Sequence, residues 1–357
     1  MPSHPALDLS DDVVTLTAAV CDIESVSGGE GPLADAVESA LAPLPHLEVV
    51  RDGNAVIART DLGRGERVLL AGHLDTVPLT EPPNLPTRRD GDQLVGRGTV
   101  DMKGGVAVQL RLAQALRAPS RDVTYVFYDC EEVEEARNGL ARVGTNRPDL
   151  LRADFAVLLE PTGGGIEGGC KGTLRAEVTA RGVAAHSARP WNGRNAIHEA
   201  GAILHRLRAY EPQTVHVDGL DYHEALGAVH IRGGIAGNVI PDECVVTVNY
   251  RFAPDKGPDE AVALVLSLFS GYDVLGTDLA PGARPGLQLP AAKEFVRALG
   301  VSVVAKEGWT DVARFAELGV AAVNFGPGDP NLAHHDEERC PVDQLVAAEQ
   351  AMLRWLA

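Results

Sequence analysis

A chain of 357 residues, 45% hydrophobic and 23% charged, is long enough for two ordinary cores and has the composition of a globular protein, not a fibrous or disordered one. Its formal net charge of −18 at pH 7 repels polyanions, and no Lys/Arg cluster offers a track for phosphates, which argues against nucleic acid as a partner. No stretch approaches the roughly 18 uncharged residues of a membrane span, and MPSHPALDLSDD lacks a basic start and an apolar run, so a cytoplasmic protein without membrane contact is expected.

In chain order, Val13, Leu16, Val20 and Ile23 recur at three- and four-residue intervals, predicting a helix over 11–27 with Ser10 as its N-cap. The apolar runs RVLLA (67–71), VTYVFY (123–128) and FAVLL (155–159) predict buried strands, each followed at once by chemically capable residues. Between the first two, GGVAVQLRLAQALRA (104–118) has helical spacing. Strand, helix, strand predicts an α/β fold with a mostly parallel sheet, in which sites form at the carboxyl ends of strands. From about Gly172 the pattern changes to strand LRAEVTARG, helix NAIHEAGAILHRLRAY, strand VVTVNYRFA, helix PDEAVALVLSLF and strand YDVLGTDL, an inserted α+β unit. The tail, ending in helix DQLVAAEQAMLRWLA, has no separate core and is expected to complete the first sheet. The expected domains are therefore 1–172 with 284–357, and an insert at 173–283. Five scattered cysteines without CxxC spacing read as reduced thiols with no assigned chemistry.

Five places pair metal-capable residues with positions just after strands. His73 and Asp75 in AGHLDTVP are two apart and share a face of extended backbone. Asp101 sits in the glycine-rich turn of GRGTVDMKGG, Glu131 and Glu132 are adjacent in DCEEVEE, Glu160 opens EPT, and His334 and His335 lie in LAHHDEE. Imidazole and carboxylate without thiolate are the ligand set of catalytic Zn²⁺ or a similar ion. Two His and three carboxylates could hold two ions about 3.5–4 Å apart if one carboxylate bridges, leaving another for proton transfer. Each element alone has an ordinary reading: a satisfied histidine, a solvated Glu pair, or a phosphate-cradling turn. The turn, however, lacks both the Walker lysine-serine ending and GxGxxG spacing.

Taken in order, HLDTVP, GRGTVDMKGG, an EE pair, EPT, GxxAHSARP, a strand ending in R-x-x-P and a late AH resemble the di-zinc acylases, deacylases and carboxypeptidases, the family of acetylornithine deacetylase, over nearly the whole chain. Strings such as CEEVEEARNGL and GNVIPDECVVTVNYRFAPD resemble its actinobacterial-type succinyl-diaminopimelate desuccinylases. The resemblance implies a zinc-exopeptidase-like catalytic domain with a ferredoxin-like lid that also makes a homodimer. It implies two divalent ions, Zn²⁺ with Co²⁺ or Mn²⁺ as alternatives. His73 and Glu160 would bind one, Glu132 and His334 the other, and Asp101 would bridge; the pattern A-H-x-x-[DN]-E selects His334 over His335, with Glu338 as its closing acid and Glu337 at the Asp/Asn position.

Glu131 would be the general base and Asp75 would orient His73. His186 would reach the oxyanion, in the family often from the partner subunit. Asn238 and Arg251 would hold a substrate carboxylate, and Lys171, Arg189 and Thr310 are further contacts for an anionic small molecule. Two departures bear on the substrate: GCKGT stands where the better-known desuccinylases have a GRRGS-like string, and Arg189 where they have a tyrosine. Acetylornithine or another N-acyl amino acid, or a dipeptide, therefore stays as an alternative. A non-catalytic binding protein would lack a ligand or the base, and none is missing.

Overall fold

A computed structural model describes residues 6–357; the reading of residues 1–5 as free of a targeting leader lies outside them. The chain forms two compact units, one made of the described residues up to Gly168 with Gly286–Val304 and Arg314–Ala357, the other of Gly169–Pro285 with Ala305–Ala313.

The first unit is built on an eight-stranded mixed sheet in the order Glu48–Asp52, Ala55–Arg59, Asp122–Tyr128, Arg67–His73, Phe155–Leu158, Ala322–Asn324, Ile166–Gly168 and Val303–Ala305. Its centre is parallel: Arg67–His73 pairs in parallel with both Asp122–Tyr128 and Phe155–Leu158, and the latter with Ala322–Asn324. These strands are continuous apolar runs because both faces are covered, and all seven residues of Asp122–Tyr128 are buried. The first helix spans Val13–Asp22, and its N-cap is Asp12, not Ser10. The Asp12 carboxylate accepts the N–H groups of Val14 and Thr15, whereas Ser10 donates its hydroxyl to Asp8. The helix stops short of the predicted end because the chain turns extended and Val26 bridges to Thr76 in the loop after His73.

In the second unit, four strands in the order Ala225–Gly233, Glu243–Phe252, Gly172–Arg181 and Asp273–Ala280 form a fully antiparallel sheet. With helices Ala196–Ala209 and Pro258–Leu268, the chain runs β-α-β-β-α-β, the ferredoxin-like arrangement. Val178, Ile203, Val246, Val248 and Phe269 pack in its core. The Ala225–Gly233 strand has no counterpart in the apolar pattern because it is an edge strand exposed along most of its length. Among the described residues, no helix is long and apolar enough to cross a membrane.

Candidate metal centre

The carboxyl ends of three adjacent parallel strands carry the predicted chemistry. His73 closes the Arg67–His73 strand and is 1% exposed. Its Nδ1 lies 3.0 Å from the backbone carbonyl of Asp75, which can only accept, so Nδ1 carries a proton and Nε2 is the nitrogen aimed at Asp101 Oδ1, 3.1 Å away. Asp101 precedes the helix Lys103–Ala115. That helix runs hard against the end of the Phe155–Leu158 strand: a Cβ at Gly105 would lie 2.1 Å from the Leu159 carbonyl, next to Glu160, and one at Gly104 would lie 2.7 Å from the Thr99 carbonyl, which together explain the glycine pair after Lys103.

Glu131 and Glu132 follow Asp122–Tyr128 through a turn in which Cys130 adopts φ 58°. The Asp75 carboxylate grips this turn. Its Oδ1 accepts the Glu131 N–H and its Oδ2 the Glu132 N–H, both at 3.0 Å, while the Ser27 hydroxyl donates to Oδ2 at 2.7 Å. Asp75 thus meets His73 chiefly through its backbone carbonyl, its carboxylate standing 3.5 Å from Nδ1. His334, at φ 63°, places Nε2 2.9 Å from Glu132 and 3.3 Å from Asp101 Oδ2. His335 joins no such group; its Nδ1 accepts the Glu337 N–H.

Ligand-capable atoms lie within 4.8 Å of one another in three sets: His73, Asp101 and Glu160; Asp101, Glu132 and His334; His73, Glu131 and Glu132. Asp101 stands in two of them. Four carboxylates face two imidazoles, an excess of negative charge that the metal-free protein meets with protons. Hydrogen bonds to Asp101 and Glu132 push His334 up to about 10. Burial alone would lower His73, but Asp101 and Asp75 outweigh it and hold it well above the ordinary value, while burial of Asp101 is outweighed by His334 and His73, which bring it down. Positions where carboxylates hold imidazolium protons are positions that suit a dication, and the donor set fits hard or borderline ions. Thiolate ligation is absent from the fit: burial, Glu30 and nearby carboxylates push Cys130 up to about 12.

The other predicted residues belong to the second unit. His186 is exposed on a two-residue strand paired with Val239–Ile240, and the Ser187 N–H donates to the Asn238 carbonyl, so these two predicted residues are neighbours. The Ala188 N–H donates to His186 Nδ1 at 3.0 Å, leaving the ring proton of the neutral imidazole on Nε2. Arg251 is half-buried and donates Nε to Asn249 Oδ1; burial first, then Arg175, lowers its pKa. Arg189 is exposed, Thr310 is buried, and Lys171 is buried with its ammonium on Glu307 and the His223 carbonyl. Sequence reasoning passed over Ser27 and Arg97, which touch the turns and not the predicted ligands; Arg97 stands inside GRGTVDMKGG, but the string itself gives it no role.

The model of peptidase family M20/M25/M40 matches residues 69–357. The chain belongs to this peptidase family. The M20 match begins within the strand that delivers His73 and takes in every predicted ligand, and the chain is a metal-dependent amidohydrolase. Over 353 residues, 98% of this chain and 99% of the other, it is 55% identical to a Mycobacterium tuberculosis protein provisionally named succinyl-diaminopimelate desuccinylase. It is 44% identical over 364 residues to the succinyl-diaminopimelate desuccinylase of Corynebacterium glutamicum, covering 99% and 98% of the two chains. A tripeptidase from Staphylococcus aureus has the same fold, with a TM-score of 0.79 at 19% identity over 99% of this chain and 98% of that one.

Proposed function

We propose that this M20 enzyme hydrolyses the succinyl amide of N-succinyl-LL-2,6-diaminopimelate to succinate and LL-diaminopimelate, a step of diaminopimelate and lysine biosynthesis. The observation that carries the substrate is identity along essentially the whole chain with two actinobacterial relatives bearing that name. In this reading His73, Asp101 and Glu160 hold one divalent ion, and Asp101, Glu132 and His334 the other. Zn²⁺ is the proposed occupant, with Co²⁺ and Mn²⁺ suited to the same nitrogen and oxygen donors. Bound there, such ions acidify water and polarise a carbonyl.

The protein's own groups do the rest. Glu131, grouped with His73 and Glu132, takes a proton from the attacking water and returns it to the departing amine nitrogen. Asp75 keeps the Glu131 backbone in place for both transfers. His186 offers its Nε2–H to the oxyanion, and Arg251 with Asn238 holds a substrate carboxylate, for which a guanidinium fork is the matching partner. Arg189 and Thr310 are further candidates for the anionic ends; Lys171 is a weaker one because Glu307 already takes its charge. A homodimer formed through the second unit and a cytoplasmic location complete the proposal.

The test is amide hydrolysis by zinc-loaded and chelated protein on N-succinyl-LL-diaminopimelate, N-acetylornithine and a dipeptide. The expected result is a preference in kcat/KM for the succinyl substrate that disappears on chelation. A preference for acetylornithine would overturn the substrate and keep the mechanism, whereas no metal-dependent turnover on any of them would overturn the reaction.

A further inference from the structure

Arg97 and Glu338 are 3% and 1% exposed and belong to none of the ligand groups. Arg97 Nη1 donates to Glu338 Oε2 at 2.9 Å and to the His335 carbonyl at 3.2 Å. The other oxygen of Glu338 accepts the backbone N–H of Val100 at 2.9 Å and that of Asp101 at 3.1 Å. Backbone bonds run alongside, from the Gly96 N–H to the Glu338 carbonyl and from the Glu338 N–H to the His335 carbonyl, and Val95 pairs with Arg339. One buried ion pair thus ties the backbone of Asp101 to the segment that carries His334.

We infer that Arg97 and Glu338 are positioning residues that set the separation of Asp101 from His334, and with it the site of the second ion; the inference rests on the two-ion reading above. Two features make that site the dependent one. His73 is a strand terminus, enclosed by the core and fixed through Nδ1, so its position does not need the clamp. His334 has a side chain 54% exposed and lies in a loop at positive φ, so its ring is placed by its backbone and not by packing. A buried ion pair contributes little net stability compared with apolar side chains of the same size. Its presence where two ligand-bearing segments meet therefore points to geometry.

The experiment is competition between a chromophoric chelator and metal-stripped protein for Zn²⁺, resolving the two affinities, with Co²⁺ absorption as a second readout of each site. Glu338→Gln keeps the shape and one acceptor oxygen but removes the charge opposite Arg97. Glu349→Gln is the control, since the part-buried Arg111–Glu349 pair at 2.7 Å joins two helices away from the proposed ligands. For Glu338→Gln we expect one affinity to fall by roughly 10–100-fold and the other by less than about threefold, with Glu349→Gln like the wild type at both. Should Glu338→Gln fail to fold, Glu338→Asp is read in the same way, because it keeps the charge but withdraws the carboxylate from the Val100 and Asp101 amides. Wild-type affinities in the variant, or an equal loss at both sites, would overturn the inference. A wild-type protein that takes up fewer than two ions would instead overturn the two-ion reading.

Discussion

Asp75→Asn separates charge from shape at the turn that carries the proposed base. The carboxylate is fully buried and accepts from the Ser27 hydroxyl and the Glu131 and Glu132 amides. An asparagine keeps one acceptor and points an NH₂ group at an N–H that also donates. Burial raises the Asp75 pKa, but hydrogen bonding and charge from His73, then Ser27 and the Glu131 amide, outweigh it and lower it from 3.8 to about 2. A shift of that size corresponds to something on the order of 2–3 kcal/mol in the metal-free protein. The folded pKa lies below the unfolded one, so this stability is fully present above the unfolded value near 4 and is lost as pH falls towards 2.

Urea unfolding of metal-free protein at pH 7 should therefore show Asp75→Asn less stable by about 2–3 kcal/mol, and the gap should narrow as the pH is lowered to about 2–3. In the metal-loaded enzyme kcat should fall roughly 10–100-fold, because Glu131 loses the group that fixes its backbone. Equal stability at pH 7, or a gap unchanged in acid, would refute the claim that the Asp75 charge holds together His73, Ser27 and the Glu131 turn.

Glu131→Gln should lower kcat by about 10²–10⁴-fold while leaving uptake of both ions nearly intact, read by turnover and metal titration on the same preparation; near-wild-type turnover would remove Glu131 as the base. Metal loading should also release protons. With His334 pushed up to about 10 and His73 well above its ordinary value, both rings hold a proton at pH 7 in the metal-free protein, and each must give it up to become a ligand. Calorimetry in buffers of different ionisation enthalpy should find about two protons released at pH 7, with the His334 share fading near pH 10; no release would contradict the protonated cluster.

What could be read from letters was whatever is written as hydrophobic pattern plus a chemically distinctive side chain. Arg67–His73, Asp122–Tyr128 and Phe155–Leu158 are continuous apolar runs because they lie in the middle of a covered sheet, and each run ends where the polar chemistry begins. The helix Val342–Leu356 and both helices of the second unit follow from their spacing in the same way. The strand Ala225–Gly233 was illegible because an exposed edge strand buries no alternating face. Ser10 was the expected N-cap and Asp12 is the observed one; both residue types are favoured there, and only the backbone geometry decides which oxygen reaches the free N–H groups.

The same division runs through the metal centre. His73, Asp101, Glu132 and Glu160 stand out as imidazole or carboxylate just after apolar runs or a glycine turn, whereas His334 follows the short helix Pro330–Leu332; the ligand roles expected of all five came from the ordered resemblance. The groups that hold their backbones do not stand out in this way. Spacing put Asp75 on one face with His73 and the resemblance made it that residue's partner, yet its carboxylate bonds to amides that belong to another strand's end, a relation that exists only once the parallel sheet has placed those ends side by side. Arg97 and Glu338 fall inside quoted strings, Glu338 as the closing acid after His334, yet their meeting across most of the chain's length, to hold a peptide N–H and not a side chain, is not written in either string. A backbone N–H is the same at every non-proline residue, so no residue type at positions 100 or 101 could signal that it needs an acceptor. For that reason substitutions at Arg97, Glu338 and Asp75 should report on the spacing of the proposed ligands while leaving each of those side chains unchanged, and they separate the geometry of the proposed centre from its composition.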